Sequence, residues 1–320
     1  MARADRLRQH GFLLLDKPSG ITSHDAVSAV RRVFGQREVG HAGTLDPMAT
    51  GLLVLGLGDA TRLLRFVEGA QKRYLATVRL GTATTTFDAE GEVTESRAVD
   101  PPSLAEVQAA LDGLTGSIQQ RVPAYSAIKV GGERLYAKAR RGEEVLAPIR
   151  SIEVHALKLL ERRDLDLDLD LVVSKGTYVR SLAVDLGLAL GAPAHLARLR
   201  RTEIGRFGVS EGLRLDALQG LPEELLPAPA AVEHLPAIVA TEAEALGIRV
   251  GRALSARRVL EALPGLQPED PFRIVSASGE LLAMATPRAD GATLAAGPPE
   301  DPGLRFFCVL VRPPDAQGGS

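Results

Sequence analysis

The chain has one cysteine, Cys308, and no tryptophan or asparagine among its 320 residues. One thiol permits no intrachain disulfide and no cysteine-based metal cluster. No stretch approaches the ~18 continuous apolar residues of a membrane helix. The opening "MARADRLRQHGFLLLDKP" has only a brief apolar run before Asp16 and Lys17, too short for the core of a signal peptide. These absences predict a cytoplasmic protein with no membrane attachment. A phosphate-cradling P-loop, a glycine-rich dinucleotide fingerprint after a strand and a His-x-x-x-His pair are also missing. What remains is carboxylate chemistry or a binding role.

Net charge is −2, yet it is unevenly spread. Residues 1–75 carry eleven Lys/Arg against seven Asp/Glu and residues 171–206 six against two, whereas residues 236–320 carry eight against ten. A polyanionic partner needs local cationic surface rather than a positive total, so nucleic acid stays open.

A hydrophobic content of 45% can fill a sizeable core. "GFLLLDKPSG" predicts a short buried strand stopped by Pro18 and Gly20. "ITSHDAVSAVRRVFG" predicts a helix, with Thr22 and Asp25 as a capping box, Ala26, Val30, Val33 and Phe34 as its apolar stripe and Gly35 as its end. "KRYLATVRLG" and "GEVTES" alternate as strands with "DAEG" as a turn, and "PPSLAEVQAALDGLTG" starts and ends as a helix should. "DLDLDLDLVV", Asp164 to Val173, alternates strictly. Its aspartates could hold a metal, but a solvated sheet face explains the spacing and no calcium-type loop surrounds them. "SKGTYVRSLAVDLGLAL" turns at Gly176 into a helix carrying Leu182, Leu186 and Leu190, with Tyr178 and Arg180 at the junction. On a strand those two would share one side. Proline-rich "QGLPEELLPAPAAVEHLPAIV" marks a boundary, and "FRIVSA", "ELLAMAT" and "RFFCVLV" predict a small β-rich second domain.

On residue chemistry alone, Asp46 in "VGHAGTLDPMATGLLVL" is either a turn former before Pro47 or a catalytic carboxylate. His41 reads more readily as a packed or capping histidine, and Tyr74 as core. Arg180, a cation beside a buried element, demands an anionic partner. "YSAIKVGGERLYAKARRGEEV" is an ordinary exposed helix-loop or a lobe that touches a large charged ligand.

Five segments in order, "LLLDKPSGITSHDAV", "GHAGTLDPMATGLLVLGLGDATR", "KRYLATVRLGTATTTFDAEG", "PAYSAIKVGGERLYAKARRG" and "SKGTYVRSLAVDLG", resemble the TruB family of tRNA pseudouridine synthases. The resemblance implies an α+β fold: a catalytic domain over residues 1–232 with a largely antiparallel central sheet and a cleft, and an RNA-clamping insertion at about 121–150. A small β-rich domain like the PUA module is implied over 233–314, followed by a disordered tail at 315–320. It implies conversion of uridine 55 in the T loop of tRNA to pseudouridine by base flipping, without cofactor or guide RNA, by a chain acting as a monomer. Asp46 matches the catalytic aspartate and Arg180 the arginine that pairs with it, keeping it ionised. Tyr74 matches the tyrosine that stacks on the target base. Tyr178 and Leu199 match residues lining the uracil pocket, His41 one that fills the space of the flipped base, and Lys17 a supporting position. Lys129, Arg140 and Arg141 fall in the clamping insertion, while Arg198, Arg200 and Arg201 are expected beside the pocket, facing phosphates. Two other readings of the same residues are an RNA chaperone that only opens the T arm and a guide-dependent enzyme acting on ribosomal or small RNAs.

Overall fold

The computed structural model describes residues 9–123, 125–126, 128–130, 133–134, 141, 147–219, 225–296 and 304–309. Arg140, most of the expected clamping insertion and the tail at 315–320 lie outside them. Lys129 is described only as backbone, in a two-residue strand, and Arg141 lies exposed in a turn. The described residues divide into two compact units. One comprises Leu13–Leu55 and Val67–Glu223; the other takes Gly56–Phe66 and Glu224–Ser320 with the residues up to Phe12. The C-terminal unit recruits a short segment from the N-terminal half.

The first unit is built on a ten-stranded mixed sheet. Its strands, in chain order, are β1 (Gly11–Lys17), β2 (Val39–His41), β3 (Thr50–Leu57), β4 (Lys72–Leu80), β5 (Gly116–Arg121), β6 (Ile149–Arg163), β7 (Asp166–Val173), β8 (Ala194–Ile204), β9 (Phe207–Gly208) and β10 (Leu213–Arg214). The spatial order is β10-β1-β3-β8-β4-β7-β6-β5, with β9 beside β8 and β2 beside β3. From β8 through to β5 every pairing is antiparallel, while β3 joins β8 and β1 joins β10 in parallel.

The expected helices form where their capping chemistry sits. Helix α1 (Ser23–Phe34) has the reciprocal Thr22–Asp25 box and ends on Gly35 at φ 66°. Helix α2 (Leu104–Gly113) repeats the device with Ser103 and Glu106. Helix α3 (Val179–Ala189) has no side-chain cap; instead Gln120, from β5, accepts from the Tyr178 N–H at 2.8 Å and donates to its carbonyl at 3.1 Å. Tyr178 and Arg180 therefore stand at a helix start and not along a strand. Helices α2 and α3 cover one face of the sheet, where Tyr74, Ala76, Val78 and Leu80 of β4 meet Leu167, Leu169 and Leu171 of β7 and Leu182 and Leu186 of α3.

The opposite face explains the aspartate alternation. β7 starts at Asp166, and Asp164 occupies the left-handed hairpin position at φ 55°. Asp170 is held bidentately by Arg73 at 2.7 and 2.8 Å, Asp166 by Arg79 at 2.7 Å, and Asp168 by Thr77 at 2.5 Å and by Arg163. The face is an ion-paired ladder, and among the described residues no cluster could hold a metal.

Leu52–Leu55 of β3 are fully buried. Gly51, at φ 101°, lets β3 lie against β8: a Cβ there would come within 2.1 Å of the Arg201 carbonyl oxygen. This glycine serves strand packing rather than the approach of a ligand. Among the described residues no helix is long and apolar enough to cross a membrane.

The C-terminal unit carries a four-stranded sheet of β11 (Ala237–Val239), β12 (Phe272–Val275), β13 (Leu281–Pro287) and β14 (Leu304–Val309), in that spatial order. It also holds helices at Glu242–Arg249, Ala256–Ala262 and Gly291–Ala296.

Candidate active site

Asp46 lies in the loop between β2 and β3, and local hydrogen bonds fix that loop tightly. The Leu45 N–H donates to Ser23 Oγ at 2.8 Å, and Ser23 Oγ donates to the Leu45 carbonyl at 3.1 Å. The Ala49 N–H closes the turn on the Asp46 carbonyl at 3.1 Å. The Pro47 carbonyl accepts from the Gly20 N–H at 2.9 Å and from Lys17 Nζ at 3.3 Å. Lys17 is fully buried and also donates to the carbonyls of Pro18 and Ile21. The segments "DKPSGITS" and "TLDPMA" therefore form one clamped unit, with the carboxylate projecting from it. Burial brings the Lys17 amine down to about 8, although Asp46 and Glu90 oppose that.

Arg180 reaches this carboxylate from the first turn of α3. Its Nε is 2.9 Å from Asp46 Oδ2, and Nη2 donates to Oδ1 at 3.3 Å. The same guanidinium donates to the carbonyls of Thr86 and Tyr125, each at 3.0 Å, and Nη1 lies 3.4 Å from Asp88 Oδ2. The side chain of Arg180 is 7% exposed and that of Asp88 5%, whereas that of Asp46 is 33% exposed. The network therefore buries the cation and one carboxylate and leaves the other open to a ligand.

Asp88 was read in the sequence only as part of a turn. Its loop follows β4 and is shaped by Phe87, a non-glycine residue at φ 65°. Asp88 Oδ1 accepts from Thr86 Oγ1 at 2.5 Å and the Glu90 N–H at 3.1 Å, while Thr84 Oγ1 donates to the Asp88 carbonyl at 2.7 Å. One carboxylate oxygen holds the turn together, which leaves Oδ2 for Arg180.

Burial pushes the Asp46 carboxyl above the ordinary aspartate range; Arg180 pulls it down, Asp88 pushes it up again and Lys17 lowers it. Arg180 acts in the expected direction, and desolvation is the larger effect. A catalytic role for the ionised form has a consequence with a definite sign. Activity falls as pH drops through this raised value, so the acid limb of kcat/KM lies above that of an exposed aspartate. Asp88→Asn removes one upward push and moves the limb to lower pH, a change read from a pH–rate profile.

Tyr74 of β4, 6% exposed, and Leu199 of β8, 8% exposed, belong to the same apolar cluster as Leu45 and Ala49 on either side of Asp46. Tyr178 is half-buried, and burial raises its hydroxyl above the usual phenol value against the charges of Arg150 and Arg180. His41 of β2 is half-buried, with Nδ1 unpartnered; burial and the Arg201 charge lower its pKa and keep the ring neutral.

Within the run Arg198–Arg201, Arg201 does not offer the phosphate-facing surface expected of it. Arg198 is exposed, but it lies on the face of β8 opposite Leu199. Arg200 is committed to Asp16, at 3.0 and 2.8 Å. Arg201 is 1% exposed and donates from Nε to the Leu52 carbonyl at 2.8 Å and from Nη2 to the Gly43 carbonyl at 3.0 Å. It tethers the Asp46 loop to β3 and has no surface to offer.

Residues 31–179 match the family described as TruB family pseudouridylate synthase, N-terminal domain, and residues 180–227 match the tRNA pseudouridylate synthase B C-terminal domain. The chain belongs to the TruB family. It is 46% identical over 301 residues to tRNA pseudouridine synthase B of Leifsonia xyli subsp. xyli, covering 91% of this chain and 97% of that one. It is 47% identical over 282 residues to the protein of the same name from Nocardia farcinica, covering 86% and 88%. The solved Nop10–Cbf5 complex of an archaeal box H/ACA sRNP superposes with a TM-score of 0.70 at 26% identity, over 95% of this chain and 87% of that one. Membership makes this TruB-family chain an isomerase, a pseudouridine synthase.

Proposed function

We propose that the chain converts uridine 55 in the T loop of tRNA to pseudouridine, with Asp46 as the catalytic carboxylate and Arg180 as its partner. The observation that carries this reading is the asymmetry of the network. Arg180 and Asp88 are sealed in, while Asp46 presents its carboxylate to an incoming group. The names of the curated relatives, all tRNA pseudouridine synthase B, support tRNA as the RNA.

In the reaction the N1–C1′ bond of uridine breaks, the uracil turns over and a C5–C1′ bond forms; C5 gives up its proton and N1 regains one. The product is an isomer, so atoms and electrons balance without an added reagent. The target atoms are hidden in a stacked loop, so the nucleotide is flipped out before chemistry. Tyr74 and Tyr178 supply aromatic surface for the flipped base, Leu199 an apolar wall, and neutral His41 a ring able to occupy the vacated space. Arg180 aims Asp46 and offsets its desolvation, whether the carboxylate attacks as a nucleophile or removes a ribose proton.

The catalytic unit acts without guide RNA and as a monomer in the cytoplasm, and the C-terminal unit is a PUA-like RNA-binding module. The test is release of tritium from a T-arm hairpin whose target uridine is labelled at C5, with purified protein and no other RNA. Release to water at one equivalent per hairpin supports the reading. Release only on addition of a guide RNA favours the guide-dependent alternative, which the Cbf5 likeness keeps in view.

A further inference from the structure

We propose that Arg65, Phe66, Arg305 and Phe307, in the C-terminal unit, form a binding site for a single-stranded RNA segment, separate in chemistry from the candidate catalytic network. Arg65 and Phe66 come from the short segment Gly56–Phe66 that this unit recruits, and Arg305 and Phe307 from its edge strand β14. The rings of Phe66 and Phe307 meet edge to face, with centroids 5.9 Å apart at 82°. The Arg65 guanidinium lies 4.1 Å from the centroid of Phe307 and 5.9 Å from that of Phe66, and Arg305 lies 5.8 Å from the Phe307 centroid.

Both arginines are exposed and both rings are half-buried. Among the described residues neither guanidinium is paired with a carboxylate. The nearby acid of the same segment, Asp59, is engaged by His10 at 3.1 Å and by Arg62 at 3.9 Å. Two cations are thus gathered on one aromatic pair, and among the described residues no acid is paired with either. An arrangement that served only to cover a phenyl ring needs one arginine, not two.

The geometry suits one kind of ligand. A guanidinium lying on a phenyl ring is a rigid, planar cation, and its outer face accepts a stacked nucleobase. The second arginine is placed to meet the phosphate that follows. Stacking of this kind requires an unpaired base, since the bases of a duplex already stack on each other. The site therefore selects single strand over duplex with little preference for sequence. The inference rests on the reading above only for the source of that strand, which is the unpaired nucleotides of the substrate tRNA.

The experiment uses the full chain and a fluorescein-labelled RNA of about 12 nucleotides alternating C and A, within the site sizes such surfaces cover. It contains no uridine that could enter the catalytic cleft. Fluorescence anisotropy is expected to show tighter binding of the single strand than of the same strand in a duplex. Arg65→Gln and Phe307→Leu should each weaken single-strand binding about fivefold or more, the effect of losing one stacking partner. Arg65→Gln should also flatten the dependence of affinity on salt. Both variants should keep wild-type tritium release from a T-arm hairpin without single-stranded extensions.

Unchanged single-strand affinity in both variants would overturn the proposal, as would equal binding of duplex and single strand. Should Phe307→Leu lower the melting temperature, Arg65→Gln and Arg305→Gln decide the matter, because neither removes a buried group. Failure of the tRNA reading would appear separately, as no tritium release by the wild-type chain, and would leave the oligonucleotide result standing.

Discussion

Asp46→Asn is expected to abolish pseudouridine formation, lowering the rate by on the order of 10⁴-fold or more, while tRNA binding stays within a few-fold of wild type. The amide keeps the size of the carboxylate but loses its charge and its capacity as base or nucleophile. The loop itself is fixed by Ser23, Gly20 and Lys17, which bond to the backbone of Leu45 and Pro47 and not to the Asp46 side chain. The variant therefore keeps its shape. Single-turnover tritium release and a filter-binding titration measure the two quantities together. An Asn variant that turned over at the wild-type rate would move the chemistry elsewhere and leave the RNA-chaperone reading in possession of the site.

The second large effect is expected at Arg180, whose guanidinium serves Asp46, the Thr86 and Tyr125 carbonyls and the Asp88 charge at once. Arg180→Ala leaves the buried Asp88 carboxylate without its cation. The cost is about 3–5 kcal/mol of folding stability, seen as a lower melting temperature. Arg180→Lys keeps one positive charge, but an ammonium cannot span partners on several sides. It is expected to fold and to lose about 10²-fold or more in kcat, since the carboxylate is no longer aimed. Poorer compensation of Asp46 leaves its carboxyl higher still, so the acid limb of the lysine variant moves to higher pH, opposite to the shift expected for Asp88→Asn. Opposite displacements in the two variants distinguish an electrostatic network from mere packing.

Much of this site is legible in the sequence, for reasons that also mark where reading stops. The clamp around Asp46 is local: Pro47, the "KPSG" turn and the capped start of α1 are all visible as turn and cap chemistry. The demand of Arg180 for an anion is equally visible, because a cation on a buried helix start has to be paired. Asp88 was missed because a turn aspartate next to threonines looks the same whether or not one of its oxygens faces a distant arginine. The left-handed backbone of Phe87 that aims it has no signal in the side chain. Within the basic run "RLRR", Arg201 was misplaced although the signal was there: on a strand, Arg198 and Arg200 alternate away from Leu199, and Arg201 follows Leu199 inward.

The rest depended on strand neighbours that no local pattern specifies. Aspartates alternating on β7 read as a wet face, and only the register Asp166↔Arg79 and Asp168↔Thr77 turns them into an ion-paired ladder. In the C-terminal unit the Thr241–Glu244 capping box announces a helix that the short alternating strands overshadowed. The recruitment of Gly56–Phe66 into that unit could not be read from the chain at all, because it is a long-range packing choice.

The most direct measurement is mass-spectrometric mapping of pseudouridine in an unmodified tRNA transcript incubated with the purified chain and no added RNA or cofactor. The account predicts one new pseudouridine, at position 55 of the T loop, formed by the wild-type chain and absent with Asp46→Asn. A transcript left unmodified by the wild-type chain, or modified at another position, would contradict it.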